Sequence, residues 1–169
     1  MTFSPSVHKR RQRGNAALET ALIFLPMMLT IFGTFEVGRG MWMYHTLASA
    51  VETGARVAAV HGAGYATVNS SCSNTVSSIA NVVRNWGIGL DASQLQLTLT
   101  ADGASYVCSS LSTCLSDSTE WPPDTHNVAG VPLTIQATYR FQSILNSLWP
   151  GESSASVNFV AASTETIQF

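Results

Sequence analysis

Residues 9–35 read KRRQRGNAALETALIFLPMMLTIFGTF. The stretch opens on four basic residues, Lys9, Arg10, Arg11 and Arg13, with no acid before Glu19. It then runs from Thr20 to Phe35 without a charge. Taken as a helix, the twenty residues from Ala16 to Phe35 cover about 30 Å, the hydrocarbon thickness of a bilayer. A single membrane span is therefore expected. Basic residues collect on the cytoplasmic side of such spans, so the Lys9 to Arg13 cluster sets the N-terminus inside and everything after Phe35 outside. A secretory signal cut at the small residues Ala48, Ser49 and Ala50 is disfavoured. That site lies well beyond Phe35, and Glu36 and Arg39 intervene in what reads as a continuing helix. An uncut signal anchor is the plainer alternative.

The rest of the composition agrees with a membrane-linked chain. Of 169 residues only 11% are charged, against about 25% in ordinary soluble domains, and the mean hydropathy is +0.18. After Gly14 there remain four basic and ten acidic residues, a net of −6. Such a surface is unsuited to nucleic acid, whose binding depends on clustered Lys and Arg. The length suits one domain with an appendage. We expect residues 1–14 to form a basic leader, 15–35 the span, 36–61 a helical continuation, and 62–169 an extracytoplasmic head.

Glu19 is the residue that a generic anchor does not explain. A carboxylate near the start of a span costs up to roughly 2.5–3.5 kcal/mol at mid-bilayer, less toward the interface, and ordinarily has a partner. No basic residue follows it before Arg39. A cut between Gly14 and Asn15 would create an amine four residues before Glu19, one helical turn away. That amine can satisfy its own glutamate. In an assembly it can instead pair with the glutamate of the next subunit and set the axial register of one helix against another.

These residues carry a resemblance. Gly14, Asn15, Ala16, Ala17, Leu18 and Glu19 resemble the processing site of type IV prepilins, with glycine before the cut and glutamate fifth in the mature chain. The longer run from Gly14 to Arg56 is similar to the N-terminal module of TadE-like proteins, minor pilins or pseudopilins of the tight-adherence (Flp-type) pilus system. The matching features are Gly14, Ala17, Glu19, the Leu25–Pro26 pair, Gly33, Glu36, Gly38, Arg39, Gly54, Ala55 and Arg56. The resemblance implies cleavage by a prepilin peptidase and a part in assembling or initiating a pilus. It also implies contacts with other pilins, minor pilins and an inner-membrane assembly platform, and residence as a single-pass protein of a bacterial inner membrane. Major pilins of the system carry an aromatic after the glutamate, where this chain has Thr20. TadF-like and TadG-like proteins share the module, and the latter are generally far longer.

Beyond the span, Val37, Met41, Tyr44, Ala48, Val51, Ala55 and Ala58 recur at spacings of three and four, a stripe that packs along a partner. That partner is either the chain's own sheet or a neighbouring subunit. Pro26 is the expected site of a helix kink, and His61 to Gly64 end the helix. A second amphipathic helix is expected with Asn74 as cap, Val76, Ile79, Ala80 and Val83 on one face, and Gly87 and Gly89 as its stop. Period-two alternation then marks strands at Leu95–Thr100 and Leu133–Phe141, and more weakly at Ala155–Phe169. The fold class expected is α+β, with about three antiparallel strands.

Between the first two strands, 101–130 reads as a long polar loop containing Cys108 and Cys114. In an oxidising compartment these two can pair with each other, or either can pair with Cys72. Trp121, Pro122 and Pro123 lie in the same stretch. If the chain stays uncut, this loop is the natural seat of a membrane-tethered adhesin or binding module. Catalytic patterns are weak: His8, His45, His61 and His126 are scattered, and there is no HExxH, CxxC, GxSxG or phosphate-binding glycine loop. Asp117, Glu120 and Asp124 do not follow an EF-hand spacing. Neither an enzyme nor a cofactor is expected.

Overall fold

The computed structural model describes residues 9–61, 74–144 and 156–168. Cys72 and the first eight residues lie outside them. The chain divides into two units, Met1–Arg39 and Gly40–Phe169, and one helix, α1 (Lys9–Val60), contributes to both.

In the first unit, Leu18, Leu22, Phe24, Leu25, Phe32 and Phe35 are all exposed. Asn15–Val60 is the helix that is long and apolar enough to cross a membrane among the described residues. Its polar groups are dealt with locally: Thr20 Oγ1 donates to Ala16 O, Thr30 Oγ1 to Pro26 O and Thr34 Oγ1 to Thr30 O, each at 2.8 Å. Each hydroxyl is thereby satisfied by the carbonyl one turn back, which leaves no hydroxyl in this stretch dependent on water. Pro26 sits inside α1 and has no N–H to give to the carbonyl one turn back.

The second unit is built from the remainder of α1, α2 (Val76–Trp86) and four strands, β1 (Leu95–Ala101), β2 (Ala104–Cys108), β3 (Pro132–Gln142) and β4 (Ser156–Thr166). The sheet is antiparallel throughout, in the order β2-β1-β3-β4. Leu97 is in register with Cys108 on one side and Ala137 on the other, and Ala137 with Ala161. One face of each of the two central strands, β1 and β3, is buried, whereas the edge strands contribute Cys108 of β2 and Ala161 of β4. Leu95, Leu97 and Leu99 of β1 and Leu133, Ile135 and Ala137 of β3 are nearly or wholly inaccessible, as are Ile79, Ala80 and Val83 of α2. Each large aliphatic side chain so buried contributes about 1.5–3 kcal/mol.

The stripe on α1 packs on the chain's own sheet, but only from its middle onward. Leu47, Ala50, Val51, Ala55, Ala58 and Ala59 are buried, whereas Met41 and Tyr44 are exposed. Small residues dominate because α1 lies close to its neighbours. A Cβ on Gly54 would come within 2.9 Å of Val83 Cγ2 and 3.7 Å of Ile135 Cδ1. Gly54 is thus the point where helix, helix and sheet meet.

Two local expectations are corrected. Thr75, not Asn74, caps α2: its Oγ1 accepts from Ser78 N, and Ser78 Oγ accepts from Thr75 N, a reciprocal capping box. Asn74 is instead buried, with Nδ2 donating to Ala58 O near the end of α1. The second correction is a fourth strand. What read as a loop after β1 turns back at once through Asp102 and Gly103, at φ 43° and 84°, and pairs Ala104–Cys108 with β1. Two successive positive φ values make the two-residue turn whose twist suits a hairpin, and Asp-Gly is its favoured sequence.

Candidate functional site

The site is the α1 module, and it is most simply read through its carboxylates. Glu36 is held by Arg39 in a two-point intrahelical pair, Nη2 to Oε1 at 2.8 Å and Nε to Oε2 at 3.3 Å, with the side chains 12% and 24% exposed respectively. Glu52 is held by Arg56 one turn on, at 2.5 Å, and the same guanidinium reaches Glu165 of β4 at 4.0 Å. Glu19 differs from both. Among the described side chains no cation pairs with it, and it is exposed on the same face as Ala16, Thr20, Ile23 and Met27.

Asn15 precedes Glu19 by four residues within unbroken helix, so an amine at position 15 would lie one turn away on the same face. Gly14 and the basic residues Lys9, Arg10, Arg11 and Arg13 occupy the first turns of α1. No carboxylate lies in that first turn to meet the positive end of the helix dipole.

Residues 14–56 match the family model for TadE-like proteins. No curated protein and no solved structure matches the chain. The TadE-like segment thus covers the apolar span, both Glu–Arg pairs, Glu19, and the close-packed Gly54 and Ala55. Over residues 14–56, then, the chain is similar to TadE-like proteins, and the helix that carries the match is long and apolar enough to cross a membrane.

The stretch 101–130 lies outside the TadE-like segment and is a packed structure. After β2 comes the one-turn helix α3 (Leu111–Cys114), and Cys108 and Cys114 are joined by a disulfide, their Cα atoms 6.0 Å apart. Of the pairings open in the sequence, this is the one the fold holds. Both cysteines are buried in the core with Leu111. Trp121 is only 3% exposed, with its ring near Tyr106, so it supplies core rather than an adhesive tip. Asp117 ties the stretch together. Its carboxylate accepts from Thr119 Oγ1 at 2.6 Å and Thr119 N at 2.9 Å, and from Tyr106 Oη. The Thr119 hydroxyl, followed by Tyr106, holds the Asp117 carboxyl below its ordinary value, and the same contact with Asp117 pushes the Tyr106 phenol up. With these bonds Asp117 is committed to structure. The signal for this packing was present in the sequence, in the Asp102–Gly103 turn and in the alternation of Tyr106 and Cys108.

Proposed function

We propose that the protein is a minor pilin or pseudopilin of a tight-adherence pilus, made as a precursor and cut between Gly14 and Asn15 by a prepilin peptidase. The observation that carries the reading is the contrast among the module's three carboxylates. Glu36 and Glu52 each have an arginine of their own, and Glu19 has none among the described side chains. Cleavage after Gly14 supplies the missing cation. In a bundle of such helices, Glu19 of one subunit takes the Asn15 amine of the next, and the low dielectric of the membrane makes that pairing directional. Lys9, Arg10, Arg11 and Arg13 hold the leader in the cytoplasm, where the peptidase and the inner-membrane assembly platform meet it. The head then lies on the far side, with its disulfide in an oxidising compartment. Pro26, which leaves one carbonyl of the span without its helical donor, is where the span bends to fit against neighbouring pilins.

The test is the mature N-terminus. Co-expression with a prepilin peptidase, followed by intact-mass measurement, should give a chain beginning at Asn15. Retention of residues 1–14 with an active peptidase refutes the proposal.

A further inference from the structure

The head has two chemically opposite ends. At the end where Gly40–Tyr44 of α1 enter, aromatic and aliphatic side chains form a collar. Trp42 lies against Gly89, whose positive φ of 84° lets the loop after α2 pass the indole at a distance where a Cβ would sit 2.9 Å from two ring carbons. On the other side of the same turn, Tyr44 meets Phe159 edge-on at 6.0 Å, and Phe159 and Phe141 approach the bare backbone of Gly40. This packing leaves much of the collar in the open: Trp42 is 52% exposed, Trp86 55%, Ile88 68% and Val157 56%.

The ionic side chains are sorted along the same axis. Arg84, in the last turn of α2, and Arg140, in register with Asn158, belong to the collar end. Among the described side chains the acid there is Asp91, whose carboxylate is occupied by Ser93 N and Oγ at 2.9 and 2.8 Å. At the opposite end stand Glu52, Asp102, Asp117, Glu120 and Glu165, against Arg56 among the described side chains. Among the described side chains, one end is apolar, aromatic and slightly basic, and the other is acidic.

We infer that the collar is a lipid-contacting surface, seated in the headgroup layer of the membrane that the N-terminal segment crosses. The proposal rests on the membrane-span reading above. Three observations favour lipid as the occupant. The collar begins at Gly40, five residues in sequence after Phe35, where the apolar run ends. Its tryptophans and tyrosine are the amphipathic side chains that collect at headgroup depth. Its charges match an anionic surface, while the acidic end would be repelled from one. The head is thus held against the bilayer before assembly, and extraction into a fibre must release the collar.

The span from residue 15 to 35 contains no tryptophan, so indole fluorescence reports on the head alone. The full chain, carrying Trp149→Phe so that the remaining indoles are Trp42, Trp86 and Trp121, is reconstituted into vesicles of phosphatidylglycerol and a phosphatidylcholine brominated at the upper acyl carbons. Flotation reads the anchor independently. The expected result is flotation with partial quenching of tryptophan emission, and loss of that quenching in a further Trp42→Phe/Trp86→Phe variant that still floats. Buried Trp121 stays unquenched. Should the double variant fail to fold by circular dichroism, Ile88→Trp decides: it should enlarge the quenched fraction. Flotation without quenching, or quenching undiminished in the folded double variant, overturns the collar and leaves the anchor standing. Shielding of the collar from aqueous iodide without quenching by brominated lipid overturns it in favour of contact between copies of the chain. Failure to float overturns the anchor and the collar with it.

Discussion

Replacing Gly54 by alanine sets two known effects against each other. Alanine in a helix interior is favoured over glycine by about 1 kcal/mol. The new methyl, however, would lie 2.9 Å from Val83 Cγ2, where carbon atoms prefer about 3.5–4.0 Å. Val83 is wholly buried, so it cannot swing away into solvent, and overpacking of this kind costs about 1–3 kcal/mol. The net expectation is a loss of about 0–2 kcal/mol. Val83→Ala alone should cost about 2 kcal/mol, from two lost carbon groups and the space they leave. In the double variant the methyl introduced at position 54 occupies that space, the clash is gone, and the propensity gain of about 1 kcal/mol is kept. Gly54→Ala should therefore destabilise the native background and stabilise the Val83→Ala background, a coupling of about 1–3 kcal/mol. Guanidinium unfolding of the full chain in detergent micelles, followed by circular dichroism, measures all four corners of the cycle. Additive effects, or a stabilisation of equal size in both backgrounds, would refute the close packing of α1 on α2.

The other tests address chemistry at separate places. Reducing the Cys108–Cys114 disulfide, which spans a sequence separation of 6, should cost about 2 kcal/mol by loop-closure entropy; unfolding curves with and without reductant check this, and no shift would mean that the bond constrains nothing. Asp117 has a lowered pKa in the folded state, so its contribution to stability is present above the ordinary value of 3.8 and is lost as pH falls through the lower folded value. Tyr106 is the mirror case: its contribution is present below 10.0 and is lost as pH rises through its raised folded value. Asp117→Asn should flatten both limbs of a pH–stability profile, and a profile unchanged by the substitution would refute the assignment. Glu19→Gln should leave cleavage after Gly14 intact yet reduce incorporation beside partner subunits on the order of 10-fold or more, the loss of one charge-assisted hydrogen bond; quantitative blotting of sheared surface fibres reads it, and unchanged incorporation defeats the register argument.

Much of the fold was legible because its signals are periodic. Charge and apolar length marked the long apolar helix, the stripe ending in Val51, Ala55 and Ala58 marked the buried face of α1, and the alternations at Leu95–Leu99 and Leu133–Phe141 marked the two central strands. The failures fall where the signal is local. Asn74 and Thr75 are both good capping residues, and the choice turned on Ser78, which closes the capping box from Thr75, and on Ala58 O, which takes the Asn74 amide. No single-residue preference contains either fact. Strand β2 was hidden because it is a short edge strand whose burial alternates only weakly, and because serine-rich flanks resemble a loop. Its Asp-Gly turn was the available clue. The upper stripe differs for another reason: Met41 and Tyr44 continue the periodicity of the buried face but are exposed at the collar end, so a pattern that extends past the core reads the same as one inside it.

The extent of the TadE-like segment acquires a physical meaning from these placements. A match confined to a membrane anchor would have no need to reach Arg56, some twenty residues after Phe35. Its last residues are there for the head. Gly54 and Ala55 let α1 approach Val83 and Ile135, and Arg56 ties Glu52 on the helix to Glu165 on β4. The segment therefore encodes two surfaces on one helix, an exposed apolar one with an unpaired glutamate among its described neighbours, and a small-residue one on which a sheet is built. Substitutions in 15–35 should act on insertion and assembly while leaving head stability alone, and substitutions at 47–58 should do the reverse. Glu19→Gln and Gly54→Ala, measured side by side for incorporation and for unfolding, separate the two; a Gly54→Ala chain of native stability that fails to incorporate would show that the second surface, too, faces a neighbouring subunit.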